Sequence, residues 1–148
     1  MGNIIEAVAA LSAAVGVVLI GIQVALLRKQ FQTQFEDSLS SEYRSLIKDI
    51  PSSALLGEKI SLDDQAKEMV FNYIDLTNSQ VFLRMNGRIS KRTWSYWCEG
   101  IQFNLSLPVF KEVWVDIKNS NNDIYTELRM LELGFDTDPR SWKRLRKL

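Results

Sequence analysis

The sequence predicts an all-α protein in which an N-terminal transmembrane helix continues into a stalk and leads to a small cytoplasmic helical bundle. Two observations predict this fold. Residues 7–27 carry no charge and are followed directly by Arg28 and Lys29. Beyond them, apolar residues recur at steps of three or four, with almost no strand-like alternation. We divide the chain into a transmembrane helix and stalk at 1–50, a linker at 51–61 and a cytoplasmic helical domain at 62–148.

The charge-free segment has the length of a membrane span. Its 21 residues cover roughly 31 Å as a helix, and the hydrocarbon core of a bilayer is about 30 Å thick. A core helix of a soluble protein is disfavoured, because such helices seldom run this far without a charge. A cleaved signal peptide is also disfavoured, because no Lys or Arg precedes the segment and the apolar run exceeds a normal signal core.

Basic residues near the span set its expected orientation. Residues 1–6 contain none, whereas Arg28, Lys29, Arg44 and Lys48 follow the span. The positive-inside rule therefore predicts a single-pass protein of the inner (cytoplasmic) membrane, with its C-terminal domain in the cytoplasm and the lipid bilayer as one partner.

The helix is expected to continue past the membrane. Phe31, Phe35, Leu39 and Leu46 keep helical spacing until Pro51. We predict one helix from about Ile4 to Asp49. The linker that follows contains Pro, Gly and several serines.

Capping and stop signals divide the remaining chain into up to five short helices. The predicted signals are Ser61 as N-cap of a helix that stops at Asn86-Gly87, Ser90 as N-cap of the next, Pro108 in the first turn of a third, Asp123 opening a fourth over Ile124 to Leu133, and Asp138-Pro139 starting a short terminal helix.

Composition argues against several classes of enzyme. Eighteen basic and eighteen acidic residues cancel, so no global field favours duplex nucleic acid. There is no histidine and the single cysteine is Cys98, which excludes a Ser-His-Asp triad, Cys/His zinc sites and an internal disulfide. A phosphate loop of the form GxxxxGK[ST] is also missing from the sequence. We expect no enzymatic activity and no cofactor.

A seam of small and polar residues along the span predicts a homo-oligomer. Ala9, Ala13, Gly16 and Gln23 lie on it at heptad spacing. Small side chains let helices approach closely in lipid, and Gln can form hydrogen bonds between helices. The seam could also line a polar path. The alternative is that Ala and Gly are simply common in spans.

Two basic clusters are candidate binding sites for an anionic ligand such as a nucleotide or a lipid head group. Their members are Arg84, Arg88, Lys91 and Arg92 in the first and Arg140 and Lys143 in the second. A solvated surface is the alternative interpretation. The aromatic residues Trp94, Tyr96, Trp97, Phe103 and Trp114 could stack a base, although core packing is the preferred interpretation.

The stretch 72–133 resembles small bacterial single-span membrane proteins with a helical cytoplasmic domain of unknown function. The resembling segments are NYIDLTNSQVFLRMNGRISKRTW and LSLPVFKEVWVDIKNSNNDIYTELRMLE, with an aromatic helix at Trp94 and Trp97 and the pair Pro108 and Trp114. The resemblance implies a similar architecture and carries no activity over to this chain. A second resemblance, to single-span membrane effectors of bacterial antiviral systems, is one of architecture alone.

Taken together, these features predict a membrane-anchored, self-associating cytoplasmic binding module without enzymatic activity. The alternative is a ligand-triggered, membrane-permeabilising effector of a bacterial antiviral defence system.

Overall fold

The computed structural model describes residues 2–142 and is all-α over that range. In chain order its helices are α1 (Gly2–Lys48), α2 (Ser52–Leu55), α3 (Asp64–Met85), α4 (Lys91–Ser106), α5 (Pro108–Ser120) and α6 (Thr126–Glu132), followed by a 3-10 turn at Pro139–Ser141. A long apolar N-terminal helix thus leads to a small helical bundle, which confirms the predicted fold class.

The first of two compact units ends at Phe35 and consists, over the described residues, of the N-terminal part of α1. Large apolar side chains such as Val18 and Leu26 are exposed along it. None of its 18-residue apolar window is buried within the protein. By length and composition, α1 can cross a membrane. The single long helix predicted from about Ile4 to Asp49 is confirmed.

The second unit begins at Glu36 and contains the hydrophobic core. Phe110, Trp114 and Tyr73 are its largest fully buried side chains, and the Tyr73 and Phe110 rings meet edge to face at 5.1 Å. Leu39 and Ile50 belong to the same core. The C-terminal part of α1, which we predicted to be a stalk, therefore packs as part of the bundle.

The segment predicted as a linker, 51–61, is partly helical. After Pro51 the chain forms the single turn α2, in which Ala54 is fully buried. Gly57 then forms a turn with a φ of 89°, a conformation that favours glycine. Ala54 thus packs this segment against the core.

Three predicted helix boundaries are confirmed. Ser90 caps α4 and accepts a hydrogen bond from the Thr93 backbone N–H at 3.2 Å. Pro108 opens α5, where it leaves no N–H unsatisfied. Helix α3 ends at Asn86-Gly87, with Gly87 at a φ of 73°.

Two predicted caps are wrong. Asp63, not Ser61, caps α3, because its carboxylate accepts from the Ala66 N–H at 2.8 Å. Asp123 does not open α6, which begins at Thr126. The residue before it, Tyr125, has a left-handed backbone conformation with a φ of 57°. The Arg129 guanidinium donates to the carbonyls of Asn121, at 2.7 Å, and Ile124, at 2.9 Å, and so holds this segment as a loop.

Candidate functional site

The first basic cluster contains one residue that is buried in an ion pair. Arg84, on α3, is only 4% exposed. Its Nε donates to Asp138 Oδ1 at 2.8 Å, and its Nη1 donates to the Ile89 carbonyl at 2.7 Å. The guanidinium thus joins α3 to the loop before α4 and to the chain near its end. Arg84 is held inside the fold, whereas we predicted it in a cluster that binds an anionic ligand, with a solvated surface as the alternative.

The other described basic residues of the two clusters lie on the surface. Arg88, Lys91, Arg92 and Arg140 are exposed. The Arg140 guanidinium packs on Gly87, with its Nη1 2.5 Å from where a Cβ would stand, so Arg140 does reach this turn. Lys143 lies outside the described residues. Binding of an anion at this corner stays a prediction.

The carboxylate of Asp138 offsets part of the positive charge of Arg84 and its basic neighbours. Burial by itself would raise the pKa of Asp138, but the hydrogen bonds from Arg84 and the Arg140 backbone, with the charges of Arg84 and Lys91, outweigh burial and lower it. The carboxylate therefore stays ionised beside these cations. Sequence reasoning missed it because Asp138 is 54 residues from Arg84 along the chain.

The aromatic cluster divides into a buried and an exposed set. Trp94 and Trp114 are buried in the core. Trp97 is half-buried, while Tyr96 is 78% exposed and Phe103 is 60% exposed. Core packing therefore accounts for only part of the cluster, and the exposed set lies along α4.

These exposed aromatic residues line a cavity of about 470 Å³ within the second unit. This volume falls within the range of about 300 to 1,000 Å³ that is usual for small-molecule sites. The lining comes from the C-terminal part of α1 (Ser40, Tyr43, Arg44), from α3 (Tyr73, Gln80) and from α4 (Tyr96, Trp97, Glu99, Gly100, Ile101, Phe103).

Helix α3 contributes a row of buried polar side chains. One end of the row lines the cavity and the other end is in the ion pair. Tyr73, Thr77, Gln80 and Arg84 follow one another at steps of four, three and four, which places them on one helix face. Thr77 donates to the Tyr73 carbonyl at 2.8 Å. Gln80 is 5% exposed, and within residues 2–142 its side-chain amide makes no hydrogen bond. Its amide is available to solvent or to a ligand, because among residues 2–142 the enclosed side-chain polar atom that lacks a hydrogen bond is Trp114 Nε1.

Asn104 organises the tyrosines at the base of the cavity. Its side-chain amide donates to the Tyr73 hydroxyl at 3.1 Å and to the Tyr43 hydroxyl at 3.5 Å. Burial is the main reason that the pKa of Tyr73 rises to about 12, so the phenol is neutral at physiological pH. Neither Gln80 nor Asn104 was among the predicted site residues, although the spacing of Gln80 from Tyr73 is visible in the sequence.

The four residues predicted at an oligomer interface lie in the first unit. Ala9, Ala13 and Gln23 are exposed and Gly16 is half-exposed. A Cβ built on Gly16 would meet no atom within 4 Å. The seam is therefore open along an isolated chain, and whether a second copy covers it stays a prediction.

Comparison with known proteins adds no relative: no family model, no curated protein and no solved structure matches this chain.

Proposed function

We propose that this chain is a membrane-anchored, self-associating cytoplasmic binding module without enzymatic activity, and that the cavity in its second unit is the ligand site. The observation that carries the proposal is Gln80. The Gln80 amide lies at the cavity wall and forms no hydrogen bond with residues 2–142. Its donors and its acceptor are therefore available to a ligand.

The anchor belongs to the same proposal. The apolar segment of α1 is long enough for one span, and Arg28 and Lys29 follow it. These two cations favour an orientation that leaves the second unit in the cytoplasm, at the inner membrane. A reporter that is active only in the cytoplasm, fused after Leu148, should therefore be active. Activity of a periplasmic reporter at the same position would contradict this topology.

Titration of the full-length protein with indole tests the ligand site. In lipid nanodiscs, isothermal titration calorimetry should show saturable binding of indole. Gly100→Leu should abolish it, because the open space next to Gly100 lines the cavity and a Leu side chain would fill it. The helix itself should tolerate this change, since Leu has a higher helix propensity than Gly.

Ser95→Leu is the matched control for this experiment, because Ser95 is an exposed residue of the same helix outside the cavity lining. It should bind indole as the wild type does. Absence of indole binding at millimolar concentration, or equal binding by the Gly100→Leu variant, would overturn the ligand site.

A ligand-triggered, membrane-permeabilising effector is the second candidate. It is favoured by one observation: Ser40, Tyr43 and Arg44, which line the cavity, are on the same helix as the apolar segment. The effector predicts uptake of propidium iodide by cells that express the protein and contain the ligand, and the Gly100→Leu variant should prevent this uptake. A binding module predicts intact membranes throughout.

A further inference from the structure

The cavity combines a polar base with aromatic walls, and this combination restricts the ligands that fit it. At the base, the Gln80 amide offers two N–H donors and one carbonyl acceptor. Asn104 donates to the Tyr73 hydroxyl oxygen at 3.1 Å, which leaves the hydroxyl proton of Tyr73 for another acceptor. The base therefore presents donors and an acceptor close together, without a formal charge.

The walls provide flat apolar surfaces. Trp97, Tyr96 and Phe103 project from α4 around Gly100, where a Cβ would meet no atom within 4 Å. Glycine thus leaves open space beside these aromatic side chains, into which a large side chain would extend. Aromatic side chains arranged in this way stack planar rings, and one stacked ring contributes about 1–3 kcal/mol.

The charges at the cavity balance. Arg44 and Glu99 both line it and both are exposed. One positive and one negative group give no net attraction for an anion or a cation. Tyr73 adds no charge to the cavity, because its burial keeps the phenol protonated.

From these three features we infer that the cavity binds a neutral, planar heteroaromatic molecule with a hydrogen-bond donor and an acceptor side by side on its edge, which is the chemistry of a nucleobase. Gln80 recognises that edge, as glutamine does when it forms two hydrogen bonds with adenine. Trp97 and its aromatic neighbours hold the ring faces. This inference rests on the proposed function, because it requires that the cavity be a ligand site.

The test uses the full-length protein in nanodiscs, titrated by calorimetry with adenosine, guanosine, cytidine and uridine, and with indole as a ring without the paired edge. At least one nucleoside should bind more tightly than indole. Gln80→Leu should weaken that nucleoside by roughly tenfold or more, because the side chain keeps its size and loses its hydrogen bonds. It should leave indole binding unchanged or make it tighter.

Gln65→Leu is the matched control, since Gln65 is an exposed residue of the same helix outside the lining. It should bind nucleosides as the wild type does, and circular dichroism should show the same helix content in both variants. Binding of indole without any nucleoside, or equal nucleoside affinity in wild type and Gln80→Leu, would overturn the inference while the ligand site stands. If neither indole nor a nucleoside binds, both proposals fail.

The 5′-monophosphate of the best nucleoside tests the neutrality of the ligand. Because Glu99 offsets Arg44, the phosphate should not raise the affinity. Monophosphate binding that is about tenfold tighter than nucleoside binding would overturn the neutral ligand and identify Arg44 as a phosphate contact.

Discussion

The two compact units of this chain differ in the exposure of their apolar side chains. In residues 2–35 the large aliphatic side chains, such as Val18 and Ile20, are exposed, and within residues 7–27 there is no charge. In residues 36–142 the side chains of Phe110 and Leu128 are fully buried, and even a guanidinium, that of Arg84, is enclosed. The first unit depends on its surroundings for stability, whereas the second carries its own core.

A large core truncation should therefore separate the two units most sharply. Phe110→Ala should reduce the free energy of unfolding of the second unit by about 3–5 kcal/mol, because it leaves a cavity where a fully buried ring was. Urea unfolding of the full-length protein in mild detergent, followed by tryptophan fluorescence, measures this effect. All four tryptophans lie beyond residue 36, so the signal reports on the second unit.

Leu19→Ala is the control in the first unit. Leu19 is exposed, so its truncation should not shift the fluorescence transition, although it should weaken membrane insertion. Equal shifts in the two variants would show that the units unfold as one.

The second-largest effect should come from the ion pair of Arg84 with Asp138. Arg84→Met should destabilise the second unit by about 2–3 kcal/mol, since it leaves the Ile89 carbonyl without its guanidinium donor and removes the Arg84 hydrogen bonds to Asp138. Exposed Arg92 provides the matched control, and Arg92→Met should change the unfolding free energy by less than about 0.5 kcal/mol. Similar losses in both variants would argue against a structural role for the ion pair.

The same ion pair predicts how stability depends on pH. The pKa of Asp138 is lower in the folded protein than its ordinary value of 3.8. Its contribution is therefore complete above that value and is lost as the pH falls through the lowered pKa. Asp138→Asn should remove this part of the acid dependence. An unchanged acid limb of the stability curve in Asp138→Asn would contradict the assignment.

The boundary between the units can be tested at Glu36, the first residue of the second unit. Its carboxylate accepts from the Ser90 backbone N–H at 2.6 Å and from the Thr93 hydroxyl at 2.5 Å, at the N-terminus of α4. Glu36→Ala should cost about 1–2 kcal/mol, because it removes an acceptor and a negative charge from a helix N-terminus. Asp37→Ala, at its exposed neighbour, should have almost no effect on urea unfolding, and equal effects would argue against the role of Glu36 at the start of α4.

The long apolar helix of the first unit was predictable from the sequence, because its length and its lack of charge are local properties. The helices of the second unit were also predictable, since Ser90, Pro108 and Gly87 act on their own neighbours. The cavity was not, because Gln80 has a role only through its position between α4 and the C-terminal part of α1. The pairing of Arg84 with Asp138 was missed for the same reason, since no local pattern joins two residues that are 54 positions apart.

Substitutions at the seam of the first unit should have the smallest effect on the free energy of unfolding. They should change only the association between copies of the chain. A Cβ on Gly16 meets no atom within 4 Å, so Gly16→Leu should leave the unfolding of the second unit unchanged. If Gly16 lies on a helix–helix seam, the larger side chain should separate the spans and shift the detergent-solubilised oligomer toward monomer in analytical ultracentrifugation. Gly21→Leu makes the same substitution off the seam, also in open space, and Val17→Leu enlarges a second residue off the seam. Both should keep the oligomer. If all three variants shift it equally, the seam is not the interface, whereas a monomeric wild type would remove self-association from the proposed function.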